Sequence, residues 1–493
     1  MAGTGEAAVV RAGIYHDSVA LMRVSKALAE LPGMEVALVA MATELNLAMA
    51  RDLGFSTPPA GPSDLLVALR GRDVALAERE LDRLLADLSS SRGASTYGAS
   101  SYGTSSYGTS SYGTSSYGGD GEVPPPRTTH SAAGRARESA GVVLVSVPGE
   151  HVLPEALDAV EAGLDVMIFS DGVPVRQEVL LKRLAAERGV LVMGPDCGTA
   201  VIAGVGLGFA NVLRPGPVGV VAASGTGAQQ VTSLLDLAGT GVSHVLGVGG
   251  RDLSAEVGGL SAVRALRLLD EDPATELIVL VSKPPDPQVA RALQDVVETL
   301  RTPVVPALPG HGDLTDAAER ALRALGRPVP AWPSWPAPAR PAPGSRVVRG
   351  LYAGGTLCAE AAAIAGGPPR GEGPQDGPSA GRGEFTDFGD DAYTRGRPHP
   401  MIDPALRLEA LARVRPGDVA LLDVVLGHGS DPDPAASLAP ALARCPASAV
   451  VVALVGTEGD PQGLHRQAAA FRDAGASVFV SNAQAARYAR DLR

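Results

Sequence analysis

Ser224, Gly225, Thr226 and Gly227 stand where an apolar run, GPVGVVAA, gives way to the helix-like stretch AQQVTSLL. Hydroxyls and glycine amides at a strand-to-helix turn suit a phosphate or a carboxylate, because the helix start adds the positive end of its dipole. A plain Ser/Thr helix cap has the same composition. What favours the anion is recurrence: SRVVRGLYAGGTLCAEA at 345–361 repeats the device with Gly354, Gly355 and Thr356. A duplicated anion cradle is the first expectation.

Four further stretches carry candidate chemistry. GVGGRDLS at 247–254 follows an apolar run, and its Gly249 and Gly250 extend the anion site while Arg251 clamps an oxyanion and Asp252 orients it. GPDCGT brings Gly194, Pro195, Asp196, Cys197 and Gly198 to a second glycine-bracketed turn, a backbone contact for a ligand more than a nucleophile, since no histidine is near Cys197. DFGDDAYTRGRPHPMIDP at 387–404 is the densest polar stretch. Its Asp390, Asp391, Arg395, Arg397, His399 and Asp403 sit among backbone-fixing prolines. The expectation there is a site for a small organic anion, with Arg397 as clamp, His399 as acid or base, and a divalent metal such as Mg at Asp390 and Asp391. His311 in PGHGD and His428 in LGHGS are candidate phosphate acceptors on a short pattern.

These turns need strands and helices to hold them. Residues 1–88 alternate short apolar runs with amphipathic stretches such as VALAERELDRLLADL, a small α/β domain. From 89 to 135 a Ser-Tyr-Gly repeat carries Tyr97, Tyr102, Tyr107, Tyr112 and Tyr117 with almost no aliphatic residue, the composition of a disordered linker. Residues 136–214 read as alternating strand and helix, a Rossmann-like unit of CoA-binding type, and 215–328 and 346–493 as two flavodoxin-like units. A Pro-rich linker, 329–345, separates the last two, and a Gly/Pro-rich flexible loop spans 366–383. The offset between the copies grows from 130 at Thr226/Thr356, through 139 at Asp252/Asp391, to 146 at Val304/Val450. Growth in one direction is the mark of loop insertions in an old duplication.

Composition narrows the partners. The chain has 493 residues and a net charge of −12, with no long Lys/Arg run, which argues against nucleic acid. Its three cysteines are far apart, with no CxxC pair, as in a reducing cytoplasm. No window is long and apolar enough to suggest a membrane span or a signal peptide. A cytoplasmic protein binding a small anion is expected.

The stretches MGPDCGTAVIAG, LGFANV, GVVAASGTG, GVGGRDLSAEVGGLSA, VSKPP, LYAGGTLCAEA, FGDDAYTRGRPHPMIDP and LLDVVLGHG identify the chain as a member of the FdrA family, acyl-CoA synthetase-like proteins similar to the α subunit of succinyl-CoA synthetase. The α subunit's GPNC turn falls on Gly194 to Cys197, its SRSGT helix start on Ala222 to Thr226, and its GIGG on Gly247 to Gly250. Departures are specific: SKPP around Lys283 and Pro284 stands in place of a glutamate, no GHAGA follows, and AGIYHDSVALM lacks a GxxG turn. The resemblance therefore implies phosphate as co-substrate but leaves phosphohistidine chemistry, CoA and ATP/ADP open. It points to a subunit of an oxamate carbamoyltransferase of ureide breakdown, converting oxalurate and phosphate to oxamate and carbamoyl phosphate, in a hetero-oligomer with a partner subunit. The alternatives are an ADP-forming acyl-CoA (succinate–CoA) ligase subunit and a non-catalytic anion-binding scaffold.

Overall fold

The computed structural model describes residues 5–12, 18–42, 44–61, 64–90, 141–308, 310–338, 347–366, 383–394 and 397–493. The tyrosine repeat, most of the 366–383 loop and the end of the Pro-rich stretch lie outside them, as does Arg395. The chain divides into two compact units near residue 138.

The first unit runs β1 (Gly5–Arg11), α1 (Ser18–Ala29), β2 (Met34–Met41), α2 (Glu44–Asp52), β3 (Leu65–Gly71) and α3 (Val74–Ser90). Its sheet order is β1-β3-β2, antiparallel throughout. The central strand, LLVALRG, is buried except at Arg70, which crosses to Glu6 at 2.8 Å and stacks over Phe55.

The second unit opens with β4 (Val142–Val145), α4 (Val152–Glu161), β5 (Asp165–Ile168), α5 (Val175–Arg188) and β6 (Val192–Met193), a three-stranded parallel sheet. Here the structure departs from the boundary expected at 214. The next strands, β7 (Thr199–Ile202) and β8 (Val205–Gly208), form a hairpin whose β7 pairs antiparallel with β10 (Val242–Gly247) of the following sheet. A tight two-residue connection made the hairpin natural, but only the pairing partner reveals which sheet it extends.

That sheet continues with β9 (Pro215–Ala222), α6 (Gly225–Leu237), β10, α7 (Leu260–Glu271), β11 (Leu277–Val281), α8 (Pro287–Val297), β12 (Val304–Ala307) and α9 (Leu314–Ala324). A two-residue strand, β13 (Ser334–Trp335), precedes the last sheet. The latter comprises β14 (Val348–Tyr352), α10 (Gly355–Ala365), β15 (Glu384–Asp387), α11 (Asp391–Thr394), α12 (Ala405–Ala412), β16 (Val419–Val425), α13 (Pro434–Arg444), β17 (Ala449–Val455), α14 (Leu464–Asp473), β18 (Ala476–Phe479) and α15 (Asn482–Asp491). Strand orders are β12-β11-β9-β10-β7-β8 and β13-β18-β17-β16-β14-β15. Counted within each copy, both run 2-1-3-4, the second adding a fifth strand, which is the flavodoxin-like order. Strands such as VALLDVV and AVVVALV are apolar nearly throughout because helices cover both faces.

The two copies share one core. A single hydrophobic cluster runs from Val218 and Val279 in the first to Leu421, Val452 and Ala486 in the second. Polar bonds cross the same seam: Gln230 Nε2 donates to Val480 O at 3.0 Å, and its Oε1 accepts from Asn482 N at 2.9 Å. The Pro-rich stretch expected to be a linker is docked in its described part. Trp332 is 7% exposed with its Nε1 donating to Glu319 at 3.1 Å, and β13 pairs antiparallel with β18. Indole burial outweighs the stretch's turn-forming composition. Trp332→Ala is expected to destabilise the second unit by about 3–5 kcal/mol, read as a lower midpoint in urea unfolding.

Candidate functional site

The carboxyl ends of the parallel strands open on one cavity of about 570 Å³. Its wall takes Ser170 and Asp171 after β5, Asp196 to Thr199 after β6, Ala222 to Thr226 at the end of β9, Gly249 and Gly250 after β10, and Lys283 after β11. The second copy contributes Ala353 to Thr356 after β14 and Asp387 to Ile402, in part, after β15. Both glycine-threonine turns therefore face the same space, at the switch points where strand order reverses.

They also touch. Ser224 Oγ donates to Thr356 Oγ1 at 2.6 Å while accepting from Gly227 N at 3.1 Å as the N-cap of α6. Glycine at 354 is required by this contact, because a Cβ there would lie 2.6 Å from Thr226 Oγ1 and 2.8 Å from Thr226 Cβ. The starts of α6 and α10 thus meet end to end. The amides of Gly225, Thr226, Gly355 and Thr356 have no intrahelical acceptor, and none is donated to a protein acceptor among the described residues. Not every expected donor is free: Gly227 N is taken by Ser224, and Gly354 N by Asp423 Oδ2 at 2.8 Å. Asp423 is fully buried, accepts also from Ala353 N at 2.7 Å, and is paired with Arg407 at 3.3 Å. It fixes the second turn from below.

Lys283 was not singled out from the sequence as a site residue. Its Nζ lies 3.5 Å from where a Cβ on Gly355 would stand, and it makes no ion pair among the described residues. The signal was available in part, as the cation in SKPP at the end of a buried strand. Asp387, a second omission, accepts from Gly389 N at 2.9 Å. Burial pushes its carboxyl up to about 6, with Asp423 adding and the Gly389 amide and Lys283 opposing. Asp196 protrudes into the cavity with a left-handed backbone, φ 57°. Desolvation, then the charges of Asp171 and Asp391, raise it to about 6.

The other expected residues divide. Arg397 lines the cavity, exposed, with no ion pair for its guanidinium among the described residues. His399 also lines it, but burial and the Arg407 charge push the imidazole down to about 4. Its Nδ1 accepts from Met401 N at 3.2 Å, so the neutral ring carries its proton on Nε2 and is a donor, not a base. Cys197 is buried, with its thiol pushed up to about 12, and is inert. Gly194 and Pro195 stand behind the wall. The carbonyl of Pro195 occupies the space a Cβ on Gly249 would need, and Gly249 has φ 88°, so the two turns are packed together.

Arg251 and Asp252 do not line the cavity, a correction to the clamp expected there. Asp252 is fully buried, 2.7 Å from Lys182 Nζ, and accepts from Ser261 N and Ala262 N. Lys182 also pairs with Glu178 at 2.9 Å and donates to Val248 O, and Arg251 pairs with Glu178 at 3.0 Å while donating to Val173 O. This ion network anchors the glycine loop instead of meeting a ligand. The metal expected at Asp390 and Asp391 finds no ligand set: among the described residues no group of three or more His, Cys, Asp or Glu could hold one, and Asp390 caps Ala392 N. His311 and His428 do not line the cavity.

Comparisons with known proteins now bear on this geometry. The profile of the AllF heavy metal-associated domain matches residues 4–101, and that of the CoA-ligase domain matches residues 351–492. The Escherichia coli (strain K12) protein YahF is 34% identical over 530 aligned residues, covering 98% of both chains. The chain belongs to the YahF family. The FdrA-type identification, with its likeness to succinyl-CoA synthetase α subunits, stands. The ADP-forming succinate–CoA ligase subunit alpha 2 of Archaeoglobus fulgidus is 30% identical over 29% of this chain and 50% of its own. The malate–CoA ligase subunit alpha of Methylorubrum extorquens is 29% identical over 30% of this chain and 52% of its own. The chain spans about half the length of these ligase subunits. Among solved structures, the dinucleotide-forming acetyl-coenzyme A synthetase 1 of Ca. Korarchaeum cryptofilum matches 74% of this chain and 84% of its own at 18% identity, TM-score 0.30. The α/β class rests on the strand orders above.

These families imply two groups, a heavy metal and CoA. Residues 4–101 contain no cysteine, so the thiolates that select soft metals are missing. A nucleotide pyrophosphate would take the turn after β4, at the start of α4. That turn carries Glu150 and His151, 3.6 Å apart, and a carboxylate there opposes a phosphate. Residues 4–101 thus lack a thiolate site for a heavy metal, and the turn after β4 does not suit a CoA pyrophosphate. Among the described residues no helix is long and apolar enough to cross a membrane.

Two outcomes follow from the cavity. Gly354→Ala is expected to force the paired turns apart and destabilise the second unit by about 1–3 kcal/mol in urea unfolding, with the far-UV spectrum unchanged. Asp387 keeps its proton longer folded than unfolded, so its contribution falls as pH rises from about 4 through about 6. Asp387→Asn, which retains an acceptor for Gly389 N, is expected to be more stable than the parent at pH 8 by roughly 3 kcal/mol, and no more stable at pH 3.5, by urea titration at both values.

Proposed function

We propose that this chain is the phosphate- and acid-binding subunit of an enzyme that handles carbamoyl phosphate, phosphorolysing oxalurate to oxamate and carbamoyl phosphate. The observation that supports this reading most is the Ser224–Thr356 bond. It brings two helix starts, four amides and the nearby Lys283 to one place. A phosphate held there gains from both dipoles and from the ammonium. Arg397, across the cavity, takes the carboxylate of the organic acid.

The chemistry requires one bond made and one broken. A phosphate oxygen attacks the carbamoyl carbon, the bond from that carbon to the oxamate nitrogen breaks, and a proton passes from phosphate to the departing nitrogen. Asp387 serves as the relay, giving its proton to the nitrogen and recovering one from phosphate, since its raised affinity keeps a fraction protonated near neutrality. Lys283 and the first-turn amides stabilise the developing oxyanion. His399 contributes its Nε2 hydrogen. Asp171, Asp391 and Arg397 are exposed, leaving the outer wall of the cavity to a partner subunit that excludes water.

The CoA-ligase domain and the ligase relatives favour a second reading, an ADP-forming acyl-CoA ligase subunit. Incubating the purified chain and its genomic partners with oxalurate and phosphate separates the two. Carbamoyl phosphate, measured by carbon NMR, is expected, with Lys283→Met lowering kcat/KM about 100-fold. Acid consumed only with ATP and CoA, and no carbamoyl phosphate, would establish the ligase instead. Phosphate binding without turnover in the complete assembly would leave a scaffold.

A further inference from the structure

The chain supplies its positive charge almost entirely as guanidinium. Of its 42 lysine and arginine residues only three are lysine, at positions 26, 182 and 283. Lys182 is sealed in the interior, its ammonium held by Glu178, Asp252 and Val248 O. Lys26 lies half-buried on α1 of the first unit. Lys283 is exposed, and it lines the cavity. Arginine would bring the same charge to that wall, but a guanidinium stays protonated, whereas an amine that gives up a proton is a nucleophile.

The surroundings of Lys283 give that nucleophile a place to meet an electrophile. Gly355 opens α10, and a Cβ on it would stand 2.5 Å from Asp387 Oδ2 and 3.5 Å from Lys283 Nζ. The missing side chain leaves a slot at the helix start with a carboxyl and an amine on its rim. The amides of Gly355 and Thr356 at the same helix start are donated to no protein acceptor among the described residues. A phosphoryl group held on them carries any acyl group bonded to it within reach of Nζ. Such proximity makes the transfer effectively unimolecular.

We propose that Lys283 is a self-modification site: a mixed anhydride of phosphate held in the cavity, carbamoyl phosphate or a carboxylic acyl phosphate, transfers its acyl group to Nζ and so shuts the phosphate site. This rests on the phosphate-binding reading of the cavity and gives the bound anhydride a second fate. Asp387 as carboxylate takes one proton from the ammonium, and the nitrogen lone pair forms a bond to the carbonyl carbon. The bond from that carbon to the bridging oxygen breaks, its electron pair leaves on phosphate, and the second nitrogen proton departs with it. The products are an N-acylated lysine and inorganic phosphate. The acylated side chain is uncharged and fills the slot, so an incoming anion loses both a partner and its room.

The three lysines make the experiment internally controlled. The full chain is incubated with carbamoyl phosphate and, separately, with acetyl phosphate, and each lysine peptide is quantified by mass spectrometry. Acylation of Lys283 is expected to run at least about tenfold faster than that of Lys26 and to be suppressed by excess inorganic phosphate. Phosphate affinity of the acylated protein is expected to fall at least about tenfold by calorimetry. Lys182 is expected to stay unmodified, which certifies that the second unit remains folded. Cyanate carbamoylates amines without bringing a phosphoryl group, and it is expected to modify Lys283 no faster than Lys26. Gly355→Ala, which fills the slot, is expected to abolish the preference while Lys182 stays protected. Reaction with both anhydrides assigns the site to acyl phosphates at large, and reaction with one alone assigns it to that compound. Equal rates at Lys283 and Lys26, a preference that cyanate shares, one that excess phosphate or Gly355→Ala leaves untouched, or an acylated protein with undiminished phosphate affinity overturns the inference. Carbamoyl phosphate formed from oxalurate by the complete assembly, with Lys283 unmodified, would leave the phosphorolysis reading standing while this one fails. Acylation of Lys283 without oxalurate turnover would do the reverse.

Discussion

Everything in the cavity is arranged around a contact that ought to be unfavourable. Two helix starts, each equivalent to about half a positive charge, are brought end to end and tied by the hydroxyls of Ser224 and Thr356. The arrangement survives because anionic groups answer it. Asp423 lies beneath the second turn and binds two of its amides, with Arg407 keeping the carboxylate compensated in turn. The first turn has an apolar valine, Val281, at the matching position of its strand, and relies on its serine cap alone. The copies are therefore unequal in how they are neutralised, and Lys283 stands beside the second turn, at Gly355.

This local positive field is set in an acidic protein. Asp171, Asp196, Asp387 and Asp391 share the cavity with Lys283 and Arg397, and desolvation, joined by the charges of Asp171 and Asp391 at Asp196 and of Asp423 and Asp390 at Asp387, drives those two up to about 6. A carboxyl poised there can keep or lose its proton at little cost. The positive field of the helix starts and the carboxyls able to hold a proton are thus gathered in the same cavity.

Much of the frame was legible in the sequence. The recurrence of Gly-Thr turns led to the right pair of helix starts, and the drifting offset between copies matches the observed strand equivalences, with Thr226 and Thr356 after first strands and Val304 and Val450 in fourth strands. Local pattern sufficed there because strand, turn and helix are local events. It failed where a residue's role is set from a distance. Asp252 and Asp391 are equivalent by position, yet Asp252 is captured by Lys182, 70 residues upstream, and Asp391 is not. Arg251 was read as a clamp because its turn was polar, and the buried Glu178 that engages it lies on a helix of another sheet. Trp332 and Trp335 were hidden by the prolines around them.

The short strand β13 has a meaning beyond joining the copies. A parallel sheet ending in β18 would offer a row of unpaired backbone donors and acceptors to any other extended chain. By laying Ser334 and Trp335 antiparallel along Phe479 and Val478, the connecting segment occupies that row itself. The tether between duplicated halves thereby serves as a guard on an adhesive border, so that the duplication which brought two glycine-threonine turns together also left the strip of chain that keeps one molecule from zipping onto the next.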